Sequence, residues 1–182
     1  MQSLQQMSGQ QLQWVQPVKG RLHFLLTTTQ NTDELAKLTI VKGAIGIGES
    51  ADMQWTFKRG GIYHPRVKIF STQGGTQLGM SKGSPWKFKG LLELDDGNKY
   101  QWKKAGKSWL VLTADDRPVV TFTEAARLTV GLLEIAPVHT ANLSLLMTFI
   151  MYQWAVRFTG NDSVSTGIDA GIGAGISAAL GG

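Results

Sequence analysis

Few side chains in this sequence are of the kind that do chemistry, and their spacing limits what they can do. The three histidines, His23, His64 and His139, fall far apart and in three different kinds of segment, so they do not form a metal-ligand pattern and read as polar or surface residues. Asp95-Asp96 and Asp115-Asp116 are paired carboxylates of the sort that serve acid–base catalysis or cation binding. Each pair, however, sits where a hairpin needs a turn, and Asp is a turn residue because it bonds its own backbone. Gly46-Ile47-Gly48-Glu49-Ser50-Ala51 matches the glycine spacing of a dinucleotide-binding loop. That loop requires a strand before it, a helix after it and an acid about 20 residues on. Here Trp55-Thr56-Phe57-Lys58 follows, which is strand-like, so these glycines read as bends or close backbone approaches. The chain has no cysteine, which removes disulfides, thiolate catalysis and Cys-type zinc sites. No GxSxG, HExxH or phosphate-loop signature is present. No catalytic residue, metal site or cofactor is nominated, and the expectation is a non-enzymatic binding protein.

Charge is the remaining signal. From Lys58 to Lys107 there are eleven Lys or Arg against three acids, a local net of 11 − 3 = +8, while the rest of the chain nets 7 − 10 = −3. A basic middle in an otherwise acidic chain points to a polyanionic partner, a lipid headgroup surface or nucleic acid. Within it, Lys82 to Lys89, KGSPWKFK, interleaves cations and aromatics; read as an extended strand, it puts Lys87 and Lys89 on one face and Trp86 and Phe88 on the other. Lys58-Arg59 and Lys103-Lys104 are adjacent in sequence, so in strands the members of each pair point to opposite faces. The candidate anion-binding residues are Lys58, Arg59, Arg66, Lys68, Lys87, Lys89, Lys103 and Lys104. Anionic lipid is favoured over nucleic acid, because stacking on bases would require the aromatics to face outward.

These residues must be positioned by β-structure. At 182 residues, 42% hydrophobic and 17% charged, the chain suits one well-filled domain. Alternating runs at Gln11–Val15, Arg21–Thr28, Leu35–Val41, Gln54–Arg59, Arg66–Phe70, Gly90–Leu94, Lys99–Trp102, Trp109–Thr113, Val119–Thr123 and Leu128–Ile135 read as short strands separated by turn residues. Asp95-Asp96-Gly97-Asn98 is the clearest hairpin among them. Then comes Ile135 to Val156, the longest run without a charge, apolar around the whole circumference of a helix and about 30 Å long if helical. Such a helix needs enclosure by protein or by lipid. A barrel of about a dozen strands is too wide for its own side chains to fill, and a helix from about 138 to 158 would fill it, with Thr140 or Asn142 as cap and Thr140, Ser144 and Thr148 meeting barrel side chains. The alternative is a single membrane span over 135–156. Residues 1–10 read as a flexible lead without signal-peptide features, which places the chain in the cytoplasm, peripheral at a membrane if it binds lipid. Residues 159–182 form a Gly/Ala-rich tail with small residues at every fourth position, a spacing used where membrane helices approach closely.

The block from Trp55 through Lys58-Arg59-Gly60-Gly61 to Val67, the hairpins carrying Trp86, Gly90, Tyr100, Trp102 and Trp109, and the apolar helix ending near Tyr152 and Trp154 together resemble the tubby C-terminal-like superfamily. The resemblance is to its small LURP-one-related and scramblase-like members and covers roughly residues 11–158. It implies a mainly β fold: an antiparallel barrel of twelve strands enclosing a hydrophobic C-terminal helix. It also implies binding of phosphoinositide-like headgroups through basic barrel residues. The family's Lys-x-Arg element has no counterpart here, and the cysteine-rich and calcium-binding stretches of scramblases are missing, so lipid scrambling is not implied. The functional expectation is a module that engages anionic phospholipid through its basic middle strands; a structural or regulatory protein with no lipid role is the further alternative.

Overall fold

The computed structural model describes residues 11–30, 33–51, 53–61, 65–84, 87–125, 129–137 and 140–159. Twelve strands close into one antiparallel barrel in which each strand pairs with its neighbours in sequence and the first pairs with the last. They are β1 (Leu12–Val15), β2 (His23–Thr28), β3 (Glu34–Val41), β4 (Ile45–Ser50), β5 (Gln54–Gly60), β6 (Arg66–Ser71), β7 (Gln77–Ser84), β8 (Lys89–Leu94), β9 (Lys99–Ala105), β10 (Ser108–Thr113), β11 (Pro118–Glu124) and β12 (Thr129–Ile135). Closure leaves no free edge along the sheet. The period-2 alternation of the sequence becomes an inner apolar face, carried by residues such as Leu12, Trp14, Phe24, Leu26, Trp55, Phe57, Val67, Ile69, Trp109, Val111, Phe122 and Leu133.

One helix, α1 (Leu143–Thr159), runs through this barrel. Leu146, Met147, Phe149, Ile150, Met151, Tyr152 and Ala155 are all fully buried, and together they surround the helix axis. The helix is therefore the barrel's core, as its uniformly apolar surface demands. Thr148 and Tyr152 on the helix, and Thr140 just ahead of it, bond the wall. The Trp55 indole N–H donates to Thr148 Oγ1 at 2.9 Å, whose hydroxyl bonds back to the Ser144 carbonyl. Tyr152 donates to the Ala44 carbonyl at 2.7 Å, and the Tyr100 and Thr140 hydroxyls pair at 3.0 Å. The glycines of β4 are explained here: a Cβ on Gly46 would stand 2.5 Å from the Tyr152 ring, and one on Gly48 would stand 2.2 Å from Trp55 Nε1. They let helix and indole approach the wall and have no part in binding a nucleotide.

The structure corrects two expectations. The run from Ile135 to Val156 is not one helix. Ile135 pairs with Val120 in β12, and Ala136 N–H still donates to the Val119 carbonyl. The first helical bond, from Leu146 N–H to the Asn142 carbonyl, comes only after the chain has turned inward, so the helix starts at Leu143 rather than near 138. Asn142 occupies the cap position through its carbonyl; its side chain bonds Asp96, while Thr140 Oγ1 accepts the Asn142 N–H. Seventeen residues give about 25 Å, and among the described residues no helix is long and apolar enough to cross a membrane. Secondly, Lys82 to Lys89 is not an extended strand. β7 ends at Ser84 and β8 begins at Lys89, paired with each other. Between them Lys87 N–H bonds the Ser84 hydroxyl and Phe88 takes a left-handed φ of 44°. Just before the turn Gly83 lies opposite Gly90, where a Cβ on either would meet the Trp102 ring. His64, Trp86, His139, the lead 1–10 and the tail beyond Thr159 lie outside the described residues.

Candidate anion-binding face

An up-and-down barrel has two ends, and the turns alternate between them. The β1–β2, β3–β4, β5–β6, β7–β8, β9–β10 and β11–β12 connections share one end, and the remaining turns share the other. This alternation sorts the charges. Of the seventeen described Lys and Arg, fourteen lie in the connections of the first end, within three residues of it on a strand, or, for Arg157, at the end of α1. Among the described residues Glu124 is the one acid so placed, a balance of 14 − 1 = +13. By the same measure the opposite end holds Lys99 and Arg117 against nine acids, 2 − 9 = −7. The basic middle of the sequence is thus only part of a basic end, which Lys19, Arg21, Lys42 and Arg157 join from elsewhere in the chain.

All eight sequence-nominated residues are at this end, on or between β5 and β9. On the outer wall five of them stand opposite another cation. Lys58 lies directly across from Lys68, Arg66 from Lys82, and Lys89 from Lys103. Like charges placed opposite each other in an antiparallel pair are destabilising. Lys82 has partial relief from Glu93 at 3.8 Å, a carboxylate also 3.3 Å from Lys99; the other five have no ion-pair partner among the described residues. Lys58 stands over the Phe70 ring at 5.2 Å. The adjacent pairs do diverge: Lys58 and Lys103 are exposed on the wall, whereas Arg59 lies opposite buried Val67, and Lys104 turns toward the barrel mouth. Lys87 sits in the β7–β8 turn.

Lys104 belongs to a different arrangement. Glu124 Oε1 accepts the Trp109 indole N–H at 2.9 Å and an Arg157 N–H at 3.0 Å, with Lys104 Nζ at 3.4 Å. The Arg157 guanidinium lies 4.8 Å from the Trp109 ring centre. Partial burial pushes the Glu124 carboxyl up, but the Trp109 N–H and the two cations outweigh it and hold the group below its ordinary value. This cluster ties the last turn of α1 to β9, β10 and β11, and it makes Lys104 a structural cation. At the opposite end Asp96 does the corresponding work for the helix start, accepting from Asn98 and from Asn142 Nδ2 at 2.6 Å. Burial pushes its carboxyl up, but the Asn142 and Asn98 bonds together more than offset this and lower it. The Asp pairs are turn residues, with Asp116 at a φ of 60° and Asp115 bonded to Arg117. His23 Nδ1 lies 2.9 Å from Thr39 Oγ1. Among the described residues no three His, Cys, Asp or Glu side chains gather as a metal site.

Fold and face together define a closed twelve-stranded barrel with an axial helix and one strongly basic end. Comparison with protein families finds no match, and neither does comparison with curated proteins. Among solved structures the chain is similar to the Arabidopsis thaliana protein AT5G01750, at 15% identity and a TM-score of 0.52, over 78% of this chain and 89% of that one. At that identity the likeness concerns the fold.

Proposed function

We propose that the chain is a non-enzymatic binding module of tubby-like, LURP-one-related type, whose basic strands engage anionic phospholipid headgroups at a cytoplasmic membrane surface. The observation that carries this reading is the set of three like-charged cross-strand pairs, Lys58–Lys68, Arg66–Lys82 and Lys89–Lys103, on adjoining staves of one wall. Arranging cations opposite cations costs stability, and a polyanionic surface brought up to this end of the wall converts that cost into attraction. Each Lys or Arg brought near an anionic bilayer contributes about 1 kcal/mol, so five or six acting together give strong, salt-sensitive association. The tubby-like resemblance points the same way, through headgroup recognition by basic barrel residues.

Co-sedimentation with vesicles tests it. The chain should pellet with phosphatidylcholine vesicles containing about a third phosphatidylserine, remain free of pure phosphatidylcholine, and be released as salt shortens the screening length from about 10 Å toward 3 Å. Equal recovery on both vesicle types, or none on either at low salt, would refute the proposal; the latter outcome would favour a structural or regulatory role without lipid.

A further inference from the structure

The basic end also carries most of the exposed large apolar side chains. Val18 is in the β1–β2 connection, Val41 closes β3 and Phe88 is in the β7–β8 turn, with 49, 41 and 39% of their surfaces exposed; Ile47 and Leu91 are three residues in from the same end. Among the described residues Met53 alone is at the opposite, acidic end. Single exposed apolar residues are ordinary on a protein surface. Their gathering at one end, in or beside the connections that also carry Lys19, Arg21, Lys42 and Lys87, is not accounted for by packing.

We infer that this end docks head-on to an anionic bilayer, with Val18, Val41 and Phe88 entering the interfacial layer while the surrounding cations meet headgroup phosphates and carboxylates. The inference rests on the proposed lipid partner and adds to it an orientation and a second binding signal. Charge alone gives loosely held, salt-labile association, whereas charge combined with inserted apolar groups gives stable anchoring. Phe88 is held for such a role. Its backbone lies in the left-handed region, which a bulky residue adopts only under constraint. Its carbonyl accepts the Lys104 N–H at 2.8 Å and its ring packs edge-on to Trp109 at 6.0 Å. The acidic end is repelled by the same membrane, so the polarity of the barrel fixes which way it lands. The helix also ends here, its last turn bonded to Glu124. Nucleic acid offers the cations a similar partner but gives aliphatic tips such as Val18 and Val41 nothing to enter.

Because the chain has no cysteine, single reporters can be placed cleanly. Val18→Cys, Val41→Cys, Phe88→Cys and, as the opposite pole, Met53→Cys in the full chain are each labelled with the environment-sensitive fluorophore NBD. Circular dichroism confirms that each is folded, and the three turn positions substitute for one another should one variant fail. With phosphatidylserine-containing vesicles, emission at 18, 41 and 88 is expected to rise and shift to the blue and to be quenched by bromolipid, while emission at 53 stays unchanged. Vesicle binding with no change at any position would overturn the docking inference and leave headgroup binding intact. A change at 53 without change at the turns would overturn the orientation. No vesicle binding at all, or binding only to an oligonucleotide, would overturn both the inference and the lipid reading. Replacing all three tips by Ser should weaken partitioning about tenfold and leave the salt dependence of what binding remains unaltered.

Discussion

Lys68→Glu separates a functional basic wall from one that is merely solvated. Lys68 is exposed in β6, directly across from Lys58 and two residues from Arg66 on the same face. In the native barrel the Lys58–Lys68 pair is repulsive, and the substitution makes it attractive. Cross-strand charge pairs are worth roughly 0.2–1 kcal/mol in either sense, so removing one repulsion and adding one attraction should stabilise the fold by about 0.5–2 kcal/mol. At the membrane the sign is opposite. Changing +1 to −1 at a site worth about 1 kcal/mol per charge costs about 2 kcal/mol of association, close to a thirtyfold loss. Urea unfolding and vesicle co-sedimentation on the same preparation read the two effects independently. Stability should rise while affinity falls, and high salt should shrink both changes. An improved fold with unaltered vesicle affinity would show that this wall does not face the lipid. A loss of both would show that Lys68 has a structural role that its exposure does not reveal.

Other consequences follow from the interior. Leu146→Asp puts an unpaired carboxylate at the centre of the barrel, where Leu146 is fully buried; it should cost several kcal/mol and abolish soluble folding, and soluble, cooperatively unfolding protein would contradict an enclosed helix. Thr148→Val removes the acceptor of the Trp55 N–H and should destabilise by about 1–3 kcal/mol, a penalty that should shrink in a Trp55→Phe background; additive losses would refute the coupling. Glu124 supplies a pH dependence. Its folded-state carboxyl titrates below the ordinary value of 4.5, so the unfolded chain takes up the proton first as pH falls. Its contribution is complete above the ordinary value and is lost as pH drops through the folded one. Stability curves of the native chain and Glu124→Gln should therefore differ at neutral pH and converge in acid; parallel curves down to acid would remove Glu124 from the helix latch.

Much of the barrel was legible because alternation is a local signal. Ten of its strands follow apolar–polar periods, and the Asp-Asp-Gly-Asn turn marks the β8–β9 hairpin unambiguously. β4 and β7 do not announce themselves. Ile45–Ser50 spends its inward positions on Gly46 and Gly48, because the helix and Trp55 occupy the space that side chains would otherwise fill. Gln77–Ser84 offers Gly79, Ser81 and Gly83 inward, with Ser81 serving as acceptor for the Trp102 indole. In both strands the inward space is filled by side chains of other elements, Tyr152 of α1 and Trp55 of β5 over β4, and Trp102 of β9 over β7. The start of the helix was misplaced for a related reason. The strand's end at Ile135 is legible in the sequence, but the uncharged composition runs on unbroken to Val156, and the inward turn that delays the helix to Leu143 leaves no mark in it.

The same two strands explain why the basic face could be nominated but not assembled. In an up-and-down barrel, the end at which a residue lies depends on the parity of its strand, so one missing strand transfers everything after it to the wrong end. Without β4, the Lys58-Arg59 and Arg66 positions are counted to the end that actually holds Asp95, Asp96, Asp115 and Asp116; the loss of β7 restores the count for Lys89, Lys103 and Lys104. The sequence therefore showed a basic stretch, whereas the true feature is a dipolar barrel. Once parity is right, the charges of turns far apart in the chain, Lys19 and Arg21, Lys42, Lys87 and Lys107, add to one potential. A partner then senses the whole end, and substitutions in any of these turns should weaken association by similar amounts despite their separation in sequence.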